Sequence, residues 1–237
     1  MRYIKILGLA VVASIAAMAF VGASTAMAEP HELIGFCKAN EPVLCAPGNL
    51  INPPAGGYVL FLALAKEAVL SNNAAFKTEP EKCHSKVATK VTEVDKTIIP
   101  GSTTEASFTE CKGPCKKAES KGLPWSGSLT METPLGSVWS LKTTEGKALL
   151  SECAFGVSCE YGANAEHPVL LKGTNTATGA SLTAENVELA LLSGGTFTCG
   201  STGTWNALYE ATEAHLFNSE GKLVESHEPW WFTLLGE

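Results

Sequence analysis

Apolar and polar residues alternate with a period of two in many short segments of this chain, beginning after its first third. In residues 126–132, Leu129 and Met131 fall on one side, whereas Ser128 and Thr130 fall on the other. Such alternation is typical of a strand with one buried face, because successive side chains of a strand point to opposite faces. The same pattern predicts strands at 83–94, 103–111, 138–143, 147–153, 157–161, 169–174, 187–192, 196–199, 204–212 and 230–235.

Glycine, proline and asparagine separate these segments, and residues 218–221 (Asn-Ser-Glu-Gly) predict a four-residue hairpin loop. About a dozen strands with no long amphipathic helix between them predict an all-β fold, an antiparallel β-sandwich or barrel. Residues 58–70 are apolar on both sides, so they fit a helix or a buried strand; we favour the strand. This segment is too short to span a bilayer.

The chain begins with the layout of a signal peptide. Arg2 and Lys5 precede a long uncharged apolar stretch, and Ala26-Met27-Ala28 supplies the small residues that a signal peptidase recognises. We therefore expect residues 1–28 to be removed and the remaining chain, with no membrane span, to be secreted. The alternative is an uncleaved membrane anchor. Residues 29–237 then form a single β domain, in which residues 29–75 are a candidate Cys-stapled N-terminal extension.

Eight cysteines follow the predicted cleavage point, and an even number in an exported chain predicts four disulfides. A metal site is disfavoured, because the nearest approach to a ligand motif, Cys-Lys-Gly-Pro-Cys at 111–115, has no second half. The cysteines are Cys37, Cys45, Cys83, Cys111, Cys115, Cys153, Cys159 and Cys199.

Two of the four pairings follow from local geometry. Cys37 and Cys45 bracket a short loop. A hairpin that turns at residues 99–101 sets Cys83 opposite Cys111, at a distance that a disulfide tolerates. For the other four cysteines, the pairings 153 with 159 and 115 with 199, or 115 with 153 and 159 with 199, remain equally open.

Charge composition excludes several functions. Removal of Arg2 and Lys5 takes the net charge from −7 to −9 and leaves no arginine, so a nucleic-acid partner is not expected. Asp95 is the only aspartate, so calcium loops that need several Asp or Asn residues are not expected. The sequence contains no Gly-x-Ser-x-Gly and no His-Glu-x-x-His, and no motif specifies a cofactor.

Five short blocks between residues 80 and 215 resemble a group of uncharacterised exported proteins of high-GC Gram-positive bacteria. That resemblance implies no function. The blocks are Cys83-His84-Ser85, Phe108-Thr109-Glu110-Cys111, Leu123-Pro124-Trp125, Cys159-Glu160-Tyr161-Gly162, and Cys199-Gly200 followed by Trp205 and Tyr209.

One tryptophan is a candidate ligand contact. Neighbouring residues of a strand point to opposite faces, so Trp230 shares a face with Phe232 and Leu234, and Trp231 is the better candidate for exposure. An exposed Trp231 could stack on a sugar ring or anchor a protein. The alternative is a tryptophan covered by another strand or loop. For Trp125, Trp139 and Trp205, the residues on their own faces favour the core.

These patterns favour an exported, non-catalytic protein with a structural or binding role at the cell envelope or in the medium. Two alternatives stay open: a carbohydrate-binding module with an exposed aromatic face, in contact with the cell wall or a carbohydrate, and a secreted hydrolase that uses a pair of glutamates. A jelly-roll glucanase motif begins at Glu93-Val94-Asp95 but fails at Ile98. No catalytic residue is therefore assigned.

We expect the protein recovered from culture medium to begin at Glu29 and to carry no free thiol. Mass spectrometry of the intact chain, with and without reduction before alkylation, checks both points. Retention of residues 1–28, or alkylation of any cysteine without prior reduction, contradicts this prediction.

Overall fold

The computed structural model describes residues 33–40, 44–74, 80–94, 96–132 and 138–235. The predicted signal peptide, residues 1–28, and the single aspartate, Asp95, lie outside these residues.

The described residues form fourteen strands and three short helical turns, Pro47–Asn49, Ala154–Gly156 and Thr196–Cys199. The predicted all-β antiparallel architecture, a sandwich or barrel stapled by disulfides, is confirmed. The strands are β1 (Leu33–Cys37), β2 (Tyr58–Asn72), β3 (Glu81–Val91), β4 (Ile98–Lys112), β5 (Lys117–Ser120), β6 (Trp125–Met131), β7 (Val138–Thr143), β8 (Lys147–Ser151), β9 (Cys159–Gly162), β10 (Val169–Thr176), β11 (Gly179–Ser193), β12 (Thr202–Phe217), β13 (Leu223–His227) and β14 (Trp231–Leu235).

Twelve of the strands form one sheet that closes on itself, because β11 pairs with β12 and β4 pairs with β6 in addition to their other neighbours. The first part of β4 pairs with β6 and Ser107 pairs with β5. In the same way, the first part of β11 pairs with β10 and its last part pairs with β9. Two groups of three short strands therefore lie side by side between β4 and β11. One group is β6, β7 and β10, and the other is β5, β8 and β9.

The segment 58–70, which fits either a helix or a buried strand by its sequence, is a strand and forms most of β2, as predicted. Val59, Phe61, Ala63 and Ala65 are all buried, which places every second residue on the inner face. A register shift between Ala65 and residue 68 then keeps Ala68 inside.

Strands β1 and β14 form a separate two-stranded sheet that adds aromatic side chains to the core. The Phe36 ring stacks on Phe61 of β2 with ring centroids 3.8 Å apart. Phe232 of β14 lies with its centroid 4.7 Å from that of Trp139. Residues near the two ends of the described chain thus pack against the inner face of the closed sheet.

All eight cysteines form disulfides: Cys37–Cys45, Cys83–Cys111, Cys115–Cys153 and Cys159–Cys199. The first two pairs are the predicted ones, and the last two select one of the two alternatives that the sequence left open. The Cys83–Cys111 bond crosses between β3 and β4, where Glu110 has a positive φ of 52° and the register shifts.

Two local predictions are wrong. The turn expected at residues 99–101 lies earlier in the chain, and Pro100 belongs to β4, because this part of β4 pairs with β6 beyond its last β3 partner. Residues 196–199, predicted as a strand, form a helical turn in which the Gly195 carbonyl accepts from the N–H groups of Thr198 and Cys199. Four alternating residues are too few to decide between these structures.

The predicted hairpin turn is present, but its loop is one residue longer than the predicted 218–221, because Phe217 pairs with Leu223 and leaves residues 218–222 between the strands. The Asn218 N–H donates to the Lys222 carbonyl, and the Asn218 side-chain oxygen accepts from the N–H groups of Glu220 and Lys222.

We expect Gly173→Ala to lower the free energy of unfolding by about 1–3 kcal/mol, as overpacking of a core does. A Cβ at residue 173 would overlap the indole ring of the fully buried Trp139. Gly48→Ala is the matched control, because no atom lies within 4 Å of a Cβ at that position. Urea unfolding of both variants checks the prediction, and equal losses of stability contradict it.

Candidate functional site

The closed sheet surrounds a partly open cavity of about 110 Å³. Its lining comes from strands all round the sheet, and its walls are mostly apolar side chains. Protein interiors rarely contain voids larger than one water molecule, which needs only about 10–15 Å³ in this measure. The interior is therefore larger than a filled core requires, and it has room for a small molecule.

The cavity exists because several inner positions carry very small side chains. Ala63 and Ala68 of β2, Ala106 of β4, Ala118 of β5 and Ala148 of β8 all line it. Larger aliphatic residues at these positions would fill the space between the opposite walls. The interior is therefore open because alanines occupy inward-facing positions on several strands.

Aromatic side chains form one part of the cavity wall: Phe36, Phe61, Trp139 and Trp230. The Trp230 ring meets Phe61 edge-on, with centroids 4.9 Å apart, and its centroid lies 6.4 Å from that of Trp139. Gly173 allows the Trp139 ring to lie directly against the β10 backbone, since any Cβ there would collide with it. Packing from several sides therefore fixes both indole rings.

Two indole nitrogens in this wall have no hydrogen-bond partner. Trp139 is 0% exposed and Trp230 is 3% exposed, yet the Nε1 atom of each is buried and unpaired. By contrast, the Trp125 indole donates to the Lys121 carbonyl at 2.7 Å. Nearly all buried N–H groups in proteins are paired, so these two donors are exceptions in this structure.

Glu81 is a buried carboxyl in the cavity lining, with 3% of its surface exposed. Its Oε2 atom accepts from the Cys115 N–H at 3.1 Å, but Oε1 has no partner. Gly113 leaves room for this carboxyl, because a Cβ there would lie 2.6 Å from Oε2. Burial raises the pKa of Glu81 above its ordinary value, and the hydrogen bond from Cys115 opposes this in part.

Tyr209 and Ser85 supply a second polar contact inside the sheet. Their hydroxyl oxygens lie 2.8 Å apart, and both side chains are buried. Burial raises the pKa of the Tyr209 hydroxyl, so it stays neutral and is satisfied by Ser85. This pair belongs to the structure of the wall, unlike the unpaired groups of Glu81, Trp139 and Trp230.

Glu81 also lies close to Cys83 and Cys111, within the distance that three ligands of one metal ion would have. The two Sγ atoms are bonded to each other in a disulfide. A cystine offers no thiolate, so this group lacks the sulfur ligands that zinc takes.

The expectation that Trp231 is exposed is wrong. Trp231 is 7% exposed, and its indole donates to the Thr176 carbonyl at 2.9 Å. Thr233, the next residue on this face of β14, is 4% exposed, so the second face of the strand is covered as well. The observed covering is the alternative stated for this residue, and Trp231 is withdrawn as a ligand contact.

Trp125, Trp139 and Trp205, for which a core position was expected, all line the cavity. Trp139 is fully buried, whereas Trp125 and Trp205 are half-buried. Trp205 packs edge-on against Tyr209, the residue that the period of two places on its face.

The described histidines pair separately with glutamates at four different places, and none lines the cavity. The pairs are His84 with Glu110, His167 with Glu188, His215 with Glu213 and His227 with Glu225.

Glu81 is not among the candidate residues that the motifs indicate, although its position in the sequence carries a signal. Glu81 has the same parity as Cys83 and Ser85, so the alternation that predicts β3 places its carboxyl inside the sheet.

No protein-family model matches this chain, and no curated protein matches it. Among solved structures, the chain is similar to DynF from the dynemicin biosynthesis pathway of Micromonospora chersina. The two chains are 12% identical, the match covers 73% of this chain and 88% of that one, and the TM-score is 0.43. No helix among the described residues is long and apolar enough to cross a membrane.

We expect Glu81→Gln to make the protein more stable than the wild type at pH 8 and to reduce that difference at pH 5. The raised pKa means that folded Glu81 keeps its proton to a higher pH than unfolded Glu81 does. The stability of the wild type therefore falls as the pH rises from the unfolded value, about 4.5, through the folded value. The amide of the variant stays neutral at both pH values, and its oxygen can still accept from the Cys115 N–H.

Urea unfolding at the two pH values measures this effect. The control is Glu220→Gln, at an exposed position in the 218–221 loop. If Glu81→Gln and Glu220→Gln change the pH dependence equally, burial of Glu81 is not the cause.

Proposed function

We propose that this chain is an exported, non-catalytic binding protein that holds a small, mostly apolar molecule inside its closed sheet. The observation that carries the proposal is the cavity of about 110 Å³ with its apolar lining. Binding sites for small molecules are characteristically concave and apolar, with a few placed polar groups. The polar side chains in the lining include Glu81, Lys147 and Tyr209.

The four disulfides support export, because such bonds form and persist in oxidising compartments. They agree with the signal peptide that the sequence predicts at residues 1–28. Each native disulfide in a small exported domain typically contributes about 2–5 kcal/mol of stability, which suits a protein that works outside the cell.

A binding role is favoured over hydrolysis by a glutamate pair. Glycoside hydrolysis needs two carboxyl groups several ångströms apart at one site. Within the described residues, Glu81 is the only carboxyl that lines the cavity. A carbohydrate-binding module would need exposed aromatic residues on a sheet face. In the described structure every tryptophan is buried or half-buried, and the exposed rings of Phe155 and Phe197 lie on helical turns and not on strands.

We expect toluene to bind the protein with a measurable heat in isothermal titration calorimetry, and Ala63→Leu to weaken that binding at least about tenfold. Ala63 lines the cavity, so the added methyl and methylene groups occupy the space that the ligand takes. Ala106→Leu, a second change in the lining, should act in the same way.

Ala190→Leu is the matched control, because Ala190 lies on β11 beside the lining residue Leu189 but is not part of the lining. Its toluene affinity should equal that of the wild type. Absence of toluene binding to the wild type, or equal affinities in the lining variants and the control variant, overturns the proposed function.

A further inference from the structure

We infer that the ligand is a single unbranched aliphatic chain, such as the acyl or alkyl chain of a lipid, which lies inside the closed sheet along β2 and β3. The inference rests on the proposed function and names the chemical class of its ligand.

The cavity extends along the paired strands β2 and β3. At one end, Phe61 of β2 and its partner on β3, Thr89, both line it. At the other end, Leu70 and its partner Glu81 both line it as well. Thr89 and Glu81 are eight residues apart on β3, which corresponds to about 26 Å at about 3.3 Å for each residue. The acyl chains of one leaflet span only half of a hydrocarbon core of roughly 30 Å, so one such chain fits within this length.

The cavity is also narrow for its length. Its volume of about 110 Å³ corresponds to on the order of ten water molecules, because one water needs about 10–15 Å³ in this measure. About ten waters spread over about 26 Å are close to a single file. A channel of this shape fits an unbranched chain, whereas a compact ring system of the same volume would need a wider space at one level.

The middle of this channel is apolar on both strands. The lining residues of β2 and β3 between the two ends are Ala63, Ala68, Cys83 and Val87. Tyr209 lines the cavity from β12, but its hydroxyl is already bonded to Ser85. A ligand with hydrogen-bonding groups along its length would leave them unpaired here, which is unfavourable, whereas a run of methylene groups has none to satisfy.

Ala68→Leu tests whether one ligand occupies the length of the channel. Ala68 lies beyond the register shift of β2 from Ala63, where toluene is expected to bind. We therefore expect Ala68→Leu to lower the affinity for 1-dodecanol at least about tenfold, the loss of about two buried methylene groups. The affinity for toluene should stay at the wild-type value, because only the chain reaches Ala68.

Isothermal titration calorimetry on the full chain measures both affinities. Ala190→Leu is the control and should leave both unchanged, because Ala190 is not part of the lining. Equal losses for the two ligands in Ala68→Leu, or no loss for either, mean that no chain extends between the two levels, and the inference is then wrong.

Contacts of one bound ligand with both ends of the channel supply a second measurement, which needs no variant and decides alone if Ala68→Leu fails to fold. In the ¹³C-labelled wild type, we expect nuclear Overhauser effects from the methylene protons of bound 1-dodecanol to the Phe61 ring and to the Leu70 methyl groups. These residues lie nine positions apart on β2. Contacts of 1-dodecanol confined to one of the two contradict the inference.

The source of the chain is tested with a second head group, which can remain outside the partly open cavity. 1-Dodecanol and lauroyl lysophosphatidylcholine carry chains with the same number of carbons. Binding of 1-dodecanol alone indicates a free chain, whereas binding of the lysophospholipid indicates the chain of a membrane lipid; either result supports the inference. If toluene binds and neither chain does, the inference is wrong while the proposed function stands. If none of the three binds, both are wrong.

Discussion

The closure of the sheet depends on two long strands, β4 and β11, that each serve two sets of neighbours. Ile98–Thr103 of β4 pairs with β6, and Ser107 pairs with β5. A sheet of many short strands would otherwise have open edges with unpaired N–H and C=O groups, which favour aggregation. A strand can change partners along its length only where its backbone bends. β11 does so near residues 184–187, where the register shifts and Asn186 has a φ of 50°.

Closure also decides what the inside can be. Every strand of a closed sheet points half of its side chains inward, so the interior fills unless those residues are small. Alanines on β2, β4, β5 and β8 meet this condition, whereas bulky aromatics are concentrated where β1 and β14 cover the sheet. The Cys83–Cys111 disulfide joins β3 to β4, Cys115–Cys153 joins the segments that follow β4 and β8, and Cys159–Cys199 joins β9 to the helical turn that follows β11. The three links therefore connect neighbouring parts of the closed sheet.

Much of this fold could be predicted from the sequence, because a period of two has one structural meaning and cysteines in facing strands have few partners. The Cys83–Cys111 pair was predicted although the turn was misplaced. In the structure Lys82 pairs with Lys112 and His84 with Thr109, so the turn that brings Cys83 to Cys111 is centred near residue 97 and not at 99–101. The misplaced turn and the helix at residues 196–199 have a common cause. In both places the local pattern is short, and partners distant in sequence, β6 for Pro100 and Cys159 for Cys199, determine the conformation.

The candidate site was harder to predict for a related reason. The alternation of side chains along a strand can place Glu81 and Trp139 on an inner face. Whether the opposite wall then leaves a space depends on residues from eleven strands at once. The neighbours Trp230 and Trp231 show the same limit. Parity correctly sends them to opposite faces, yet both faces of β14 are covered, so exposure does not distinguish them. Their hydrogen bonds do: the Trp231 indole donates to the Thr176 carbonyl, whereas the buried Trp230 indole has no acceptor.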